Sequence, residues 1–135
     1  HLDMSPHQVV TLASLVEKET GAASERPLVS AVFHNRLRKG MLLQCDPTVI
    51  YGIENFDGNL TRTHLRTPTP YNTYVIPGLP PGPIANPGLH ALQATLNPAD
   101  RPYLYFVGKG NGTHEFSSDL ASHNRAVQQF QKRRS

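Results

Sequence analysis

Apolar side chains recur at helical spacing through the first forty positions, in two runs separated by a polar break. Ser5, Pro6 and Gln8 form a start signal: Ser5 can cap, Pro6 suits a first turn, and Gln8 can reach back to the capping residue. Val9, Leu12, Ala13, Leu15 and Val16 follow, and Gly21 is a natural stop, so the spacing predicts a helix over 5–20. Ser24 opens a second run, Leu28, Val29, Val32, Phe33 and Leu37, which ends at Gly40 with Arg36, Arg38 and Lys39 in its last turn. A short extended piece over 41–44 leads to Asp46 and Pro47, which read as cap and first turn of a short helix through Tyr51. Residues 61–65 read as one further helical turn.

The helical pattern then stops. Residues 67–88, TPTPYNTYVIPGLPPGPIANPG, contain seven prolines together with Gly78, Gly82 and Gly88. Each X-Pro step disfavours helix, so the stretch predicts a long, stiff loop of the kind that usually carries function. Asn86 and Pro87 predict a helix start, with Leu96 near its end and Asn97 and Pro98 as the stop. Tyr103 to Val107 reads as a strand, 108–112 as a turn and 113–117 as the antiparallel partner. Ser118 then caps a last amphipathic helix carrying Leu120, Val127 and Phe130. The sum is an α+β fold, a helix-rich single domain with a small antiparallel β-hairpin and a long Pro/Gly-rich loop.

At 135 residues the chain suits one domain, and 38% apolar against 17% charged residues supplies a core. Cys45 is the single cysteine, which excludes an internal disulfide and a multi-cysteine zinc site, and it reads as a small buried side chain. The seven histidines are scattered without a ligand-type spacing such as HExxH, so neither a metal nor another cofactor is expected. Lys18, Lys39, Lys109 and Lys132 all adjoin turn, charged or terminal sequence, a poor setting for a pyridoxal phosphate Schiff base. The net charge of +3 tolerates a polyanionic partner without demanding one. The basic run Lys132, Arg133, Arg134 sits where a helix terminus favours cations, and Tyr103, Tyr105 and Phe106 suit hairpin packing, so no nucleic-acid partner is expected. No apolar run approaches the roughly 20 residues of a membrane span, and no signal-peptide pattern opens the chain.

Two carboxylates stand at the end of the first predicted helix. Glu17 and Glu19 are separated by roughly 200° of rotation and cannot be equivalent. Glu19 follows the strip carrying Leu12, Leu15 and Val16, whereas Glu17 falls with Val10 and Ala13. A carboxyl among apolar neighbours has its pKa raised, which a general acid near neutral pH requires. From spacing alone, a Glu at a frayed helix end that is solvated or bonded to Arg26 competes with that reading.

LASLVEKETG (12–21), ASERPLVSAVFHNRL (23–37), LQCDPTVIYG (43–52), TPYNTYVIPGLPPGPIANPG (69–88), YLYFV (103–107), HEF (114–116) and LASHN (120–124) together resemble, in order and over nearly the whole chain, the catalytic domain of the YceG-like endolytic murein transglycosylases, the MltG family. Cys45 stands where that family commonly has Thr. The resemblance implies a lysozyme-like active-site helix and non-hydrolytic cleavage of the bond between N-acetylmuramic acid and N-acetylglucosamine in nascent peptidoglycan, leaving 1,6-anhydro ends. Glu19 takes the role of general acid and then base, with Glu17 as the fallback. The resemblance also implies that residues 1–135 are the catalytic domain of a protein whose N-terminal membrane anchor and LysM-like region are not in this sequence. The family works on the outer, periplasmic face of the cytoplasmic membrane, and peptidoglycan synthases are its expected partners.

On that reading Gln44, Asp46 and Thr48 orient sugar N-acetyl and hydroxyl groups, with helix capping as the competing role for Asp46. Tyr71, Asn72, Thr73 and Tyr74 form the wall of a carbohydrate groove, with packing of the loop on itself as the competing role, and residues 78–84 are its rigid rim. His114, Phe116, His123 and Asn124 support the site from the hairpin and the last helix. A module that binds or scaffolds peptidoglycan without cutting it is the alternative function.

Overall fold

The computed structural model describes residues 3–131. Helix α1, Pro6–Glu19, starts with the expected capping box: the Gln8 amide donates to Ser5 Oγ at 3.2 Å, and the Ser5 amide donates to Gln8 Oε1 at 2.9 Å. Leu12, Ala13, Leu15 and Val16 are fully buried on its inner face. Each large side chain so buried stabilises the fold by about 1.5–3 kcal/mol. A 3₁₀ turn, Ala23–Glu25, leads into α2, Arg26–Lys39, whose Val29 and Phe33 join the α1 side chains in the core. Gly40 closes α2 with φ of 71°, a left-handed angle that a Cβ disfavours.

Helices α3, Asp46–Tyr51, and α4, Arg62–Arg66, are short. Helix α5, Leu89–Leu96, lies against both α1 and α2, where buried His34 bonds through Nε2 to the Thr95 carbonyl at 2.9 Å. Strands β1, Tyr105–Gly108, and β2, His114–Ser117, form the antiparallel hairpin, with Phe106 opposite Phe116 and Gly108 opposite His114. Helix α6, Leu120–Phe130, packs on the hairpin. The expected α+β architecture is therefore the observed one.

The proline-rich stretch is ordered by what it touches. Its second half runs along α1: the Pro81 carbonyl meets His7 Nε2 at 2.7 Å, the Ile84 amide donates to Ser14 Oγ at 3.0 Å, and the Gly88 amide donates to Glu17 Oε1 at 2.7 Å. The positions 7, 14 and 17 share one side of the helix, so the loop is strapped along its length. Its first half is pinned by Asn72, wholly buried, whose Nδ2 reaches the carbonyls of His64, Leu65 and Thr67 at 3.3, 3.0 and 2.8 Å. Asn72 thereby satisfies the end of α4, while its Oδ1 accepts from the Tyr74 amide at 2.9 Å.

Several boundaries differ from those the sequence predicts, each for a local reason. Asp46 is the first helical residue of α3 and not its cap, since its carboxylate is turned to the Tyr74 hydroxyl. Helix α5 begins at Leu89, not Asn86, because the Gly88 amide is held by Glu17 and its backbone is extended. Strand β1 starts at Tyr105, because the Tyr103 and Leu104 carbonyls are taken by Asn35 Nδ2 at 2.8 Å and Arg36 Nε at 2.7 Å. Asp119, not Ser118, caps α6, accepting the Ser122 amide at 2.8 Å. Leu120 faces outward and Ala126 is the buried residue of α6. The basic run at Lys132, Arg133 and Arg134 lies outside the described residues.

Replacing Asn72 by Ala removes the side-chain donor shared by the part-buried carbonyls of His64, Leu65 and Thr67. Urea unfolding of Asn72→Ala should show a loss of about 2–3 kcal/mol, and a loss under 0.5 kcal/mol would contradict this role.

Candidate active site

Glu19 is the last residue of α1, and the chain turns away at Thr20, whose amide still reaches the Val16 carbonyl at 3.4 Å. The carboxyl borders a groove of about 300 Å³ shared by α1, α2, the segment before α3, the proline-rich loop and the hairpin. Cys45, 1% exposed, donates its thiol to Glu19 Oε1 at 3.1 Å. Burial pushes the Glu19 pKa up, and the charge of Asp46 adds to the rise; the Cys45 bond and His114 oppose it. The Cys45 pKa is also raised, by burial first and then by Glu19, so the sulfur keeps its proton and acts as a donor.

Cys45 is placed by a ring of buried hydrogen bonds. Its amide donates to Thr73 Oγ1 at 2.9 Å, Thr73 and Thr48 hydroxyls meet at 2.8 Å, and Thr48 Oγ1 donates to the Cys45 carbonyl at 2.7 Å. Thr73 Oγ1 also lies 3.4 Å from that carbonyl, so the shorter Thr48 bond takes it and Thr73 donates its one proton to Thr48, closing the ring. The neighbouring Gln44 amide donates to the Thr73 carbonyl at 3.2 Å, and Gln44 adopts φ of 51°, a left-handed angle uncommon outside glycine, at the groove edge.

Of the residues expected at the site, the structure brings Glu19, Gln44, Asp46, Tyr74, His114 and His123 to the groove. The Tyr74 hydroxyl donates to Asp46 Oδ1 at 2.5 Å; burial and that carboxylate both push the phenol pKa up, so it stays a donor. His114 is fixed by Glu25, which accepts the His114 amide at 2.7 Å and meets Nδ1 at 2.8 Å. Among the described residues Nε2 of His114 has no hydrogen bond, and the residue lines the groove. His123 stacks on Tyr105 with ring centroids 4.9 Å apart, and burial lowers its pKa.

The other expected site residues lie elsewhere. Thr48, Asn72 and Thr73 are wholly buried behind the groove wall, where their polar groups hold backbone. Tyr71 packs on Tyr51 with centroids 4.8 Å apart. Phe116 packs against the core and stacks on Tyr103 at 5.5 Å. Asn124 is exposed on α6 and does not line the groove. The 78–84 stretch forms no rim: Gly78, Leu79, Pro80 and Pro81 line a separate hollow beside His7. Glu17 is committed to Gly88 and lies outside the groove. Nor does Glu19 meet Arg26, since Cys45 is its partner.

Six groove residues carried no functional signal in the sequence: Arg36, Leu43, Phe106, Val107, Gly108 and Gln131. Arg36 looked like an ordinary last-turn cation and Phe106 like hairpin packing. Gln131 gains its place only because Nε2 donates to the Gly108 carbonyl at 2.7 Å. Among the described residues no three His, Cys, Asp or Glu side chains converge as a metal site.

Residues 1–129 match the YceG-like family. The chain is 42% identical over 127 residues to an endolytic murein transglycosylase of Bacillus subtilis, covering 94% of this chain and 35% of that protein. It is 31% identical over 131 residues to an endolytic murein transglycosylase of Streptococcus pneumoniae, covering 93% of this chain and 24% of that one. The chain thus spans between a quarter and about a third of the length of these relatives. A 2.6 Å crystal structure of a yceG-like protein from Listeria monocytogenes superposes with a TM-score of 0.82 at 42% identity, covering 90% of this chain and 39% of that one. A family match over nearly the full sequence and a shared fold at this identity lead to one conclusion: the chain belongs to the YceG-like family.

Proposed function

We propose that residues 1–135 are the catalytic domain of an endolytic murein transglycosylase, with Glu19 as its acid. The observation that carries the proposal is the half-buried Glu19 carboxyl, held toward its protonated form at the edge of a polar groove with the Cys45 thiol on one oxygen. The name carried by the relatives from Bacillus subtilis and Streptococcus pneumoniae supports the substrate. Because that substrate lies outside the cytoplasmic membrane, the domain works there, beside the enzymes that polymerise the glycan.

With Oε1 engaged by the thiol, the acidic proton of Glu19 sits on Oε2. Glu19 passes it to the glycosidic oxygen as the bond from that oxygen to C1 of the muramyl sugar breaks. Positive charge develops at C1, and the new carboxylate stabilises it. The C6 hydroxyl of the same sugar then bonds to C1 and returns its proton to Glu19, closing the anhydro ring. The nucleophile is intramolecular, so its high effective concentration replaces an activated water. A hydrolase would need a second carboxylate to handle that water. Asp46 is the other carboxylate at the groove among the described residues, and its Oδ1 is occupied by the Tyr74 hydroxyl.

The products test the reading. Incubation of peptidoglycan with the domain should release 1,6-anhydromuramyl ends by mass spectrometry. Glu19→Gln should lower their formation about 10³-fold while preserving the circular dichroism spectrum. Reducing ends in their place would make the enzyme a hydrolase, and an unchanged rate in Glu19→Gln would remove Glu19 as the acid.

The thiol bond favours the carboxylate form of Glu19, so changing it moves the pH range of activity. The acid must be protonated, and activity is lost as pH rises through its pKa. Cys45→Ala removes a donor, raises that pKa further and should carry the alkaline limb of the kcat/KM profile to higher pH. Cys45→Ser supplies a stronger donor and should carry the limb to lower pH. Identical limbs in all three proteins would show that the thiol does not tune the acid.

Stability should follow the same group. A carboxyl whose pKa is higher folded than unfolded binds its proton more tightly when folded, so it disfavours folding as pH rises from the unfolded value through the folded one. Glu19→Gln removes this effect. Its stability gain over the wild type, measured by thermal melts, should therefore grow with pH across that window and vanish at acid pH.

A further inference from the structure

Among the described residues Arg36 is the one arginine or lysine lining the groove, and the proposed chemistry does not use its charge. It is 7% exposed, in the last turn of α2, with Nε donating to the Leu104 carbonyl at 2.7 Å and Nη1 to the Leu42 carbonyl at 2.8 Å. Its guanidinium carbon lies over the Tyr105 ring, 5.1 Å from the centroid. Among the described residues Nη2 has no hydrogen bond, and no carboxylate lies within ion-pair distance of the guanidinium. Burial lowers the Arg36 pKa, yet a guanidinium keeps its proton under all physiological conditions.

A cation taken out of water is costly unless an anion joins it. The two carbonyls offer partial charge only. The groove's own carboxyls are turned to other partners, Glu19 to the Cys45 thiol and Asp46 to the Tyr74 hydroxyl, and neither forms an ion pair with Arg36. Arg36 lines both the main groove and an adjoining hollow with Gln44 and Tyr105, so the guanidinium borders space that a ligand can enter. The groove therefore has an acid on one side and an unneutralised cation on the other, which a ligand bearing a carboxylate beside its scissile bond would complement.

We propose that Arg36 forms a carboxylate-binding subsite that reads the acidic group on the lactyl arm of the muramyl sugar. The assignment rests on the murein transglycosylase reading for the identity of the sugar. The arm carries its carboxylate in one of two ways: free, where the stem peptide has been removed, or at the acidic positions of an attached peptide. Planar, bidentate recognition of a carboxylate is the chemistry that distinguishes Arg from Lys.

Binding separates this proposal from catalysis. The Glu19→Gln protein is titrated by calorimetry with short glycan strands of three kinds: peptide-free with free lactyl carboxylates, peptide-bearing with free peptide carboxylates, and peptide-free with the lactyl groups methyl-esterified. At least one acidic strand should bind tenfold or more tightly than the ester, and the tighter of the two identifies the source of the carboxylate. Adding Arg36→Gln should abolish that ratio, and Arg36→Lys should restore part of it. A ratio within twofold for all three strands overturns the subsite, as does a ratio that survives Arg36→Gln. The ratio in the Arg36-containing protein decides the question even where Arg36→Gln does not fold. Acid-dependent binding through Arg36 without anhydromuramyl ends from the wild type leaves the subsite standing and removes the transglycosylase reading.

Discussion

The Thr73 hydroxyl is the contact on which the site depends. It receives the Cys45 amide, gives its own proton to Thr48, and through Thr48 closes back on the Cys45 carbonyl. All of these groups are buried, so each bond is protected from competition by water and each would be costly to leave unmade. Their combined effect fixes one residue, Cys45, against one oxygen of Glu19. The acid is thus oriented from behind by the proline-rich loop, which contributes to the groove surface chiefly through Tyr74.

That division of labour explains why the loop is so rich in proline. A segment of this length would lose much conformational entropy on ordering, and proline reduces the entropy of the unfolded chain before folding begins. The remaining cost is met by a series of anchors: Asn72 on the end of α4, then Pro81, Ile84 and Gly88 along α1. Glu17 belongs to this strapping system while Glu19, two residues on, faces the groove. Adjacent carboxylates on one helix end have separate tasks because the helix turns them to different sides.

The groove combines groups whose charge states are set by their surroundings. Glu19 is held toward the neutral acid, the Tyr74 phenol and the Cys45 thiol keep their protons, and His114 is oriented by Glu25. Arg36 stands apart as a permanent charge. Such an arrangement keeps a proton available at one place and a positive field at another.

Much of this was legible in the sequence. The helical spacing of Leu12, Leu15 and Val16, the Ser5–Gln8 box and the Gly40 stop define α1 and α2 because these are local effects, acting within a turn or two of the chain. The turn-rich stretch between Phe106 and Phe116 marks the hairpin for the same reason. The different sides of Glu17 and Glu19 follow from helix geometry alone. Tertiary structure decided the rest. Asn72, Thr73 and Thr48 are polar residues in a loop and a short helix, and sequence cannot distinguish a hydroxyl that faces a sugar from one that satisfies a buried amide. Whether Asp46 caps its helix or meets Tyr74 depends on a residue 28 positions away. Arg36 becomes distinctive only because the carbonyls of Leu42, six residues on, and of Leu104, 68 residues on, draw it inward, and the second comes from chain packed against α2 at long range.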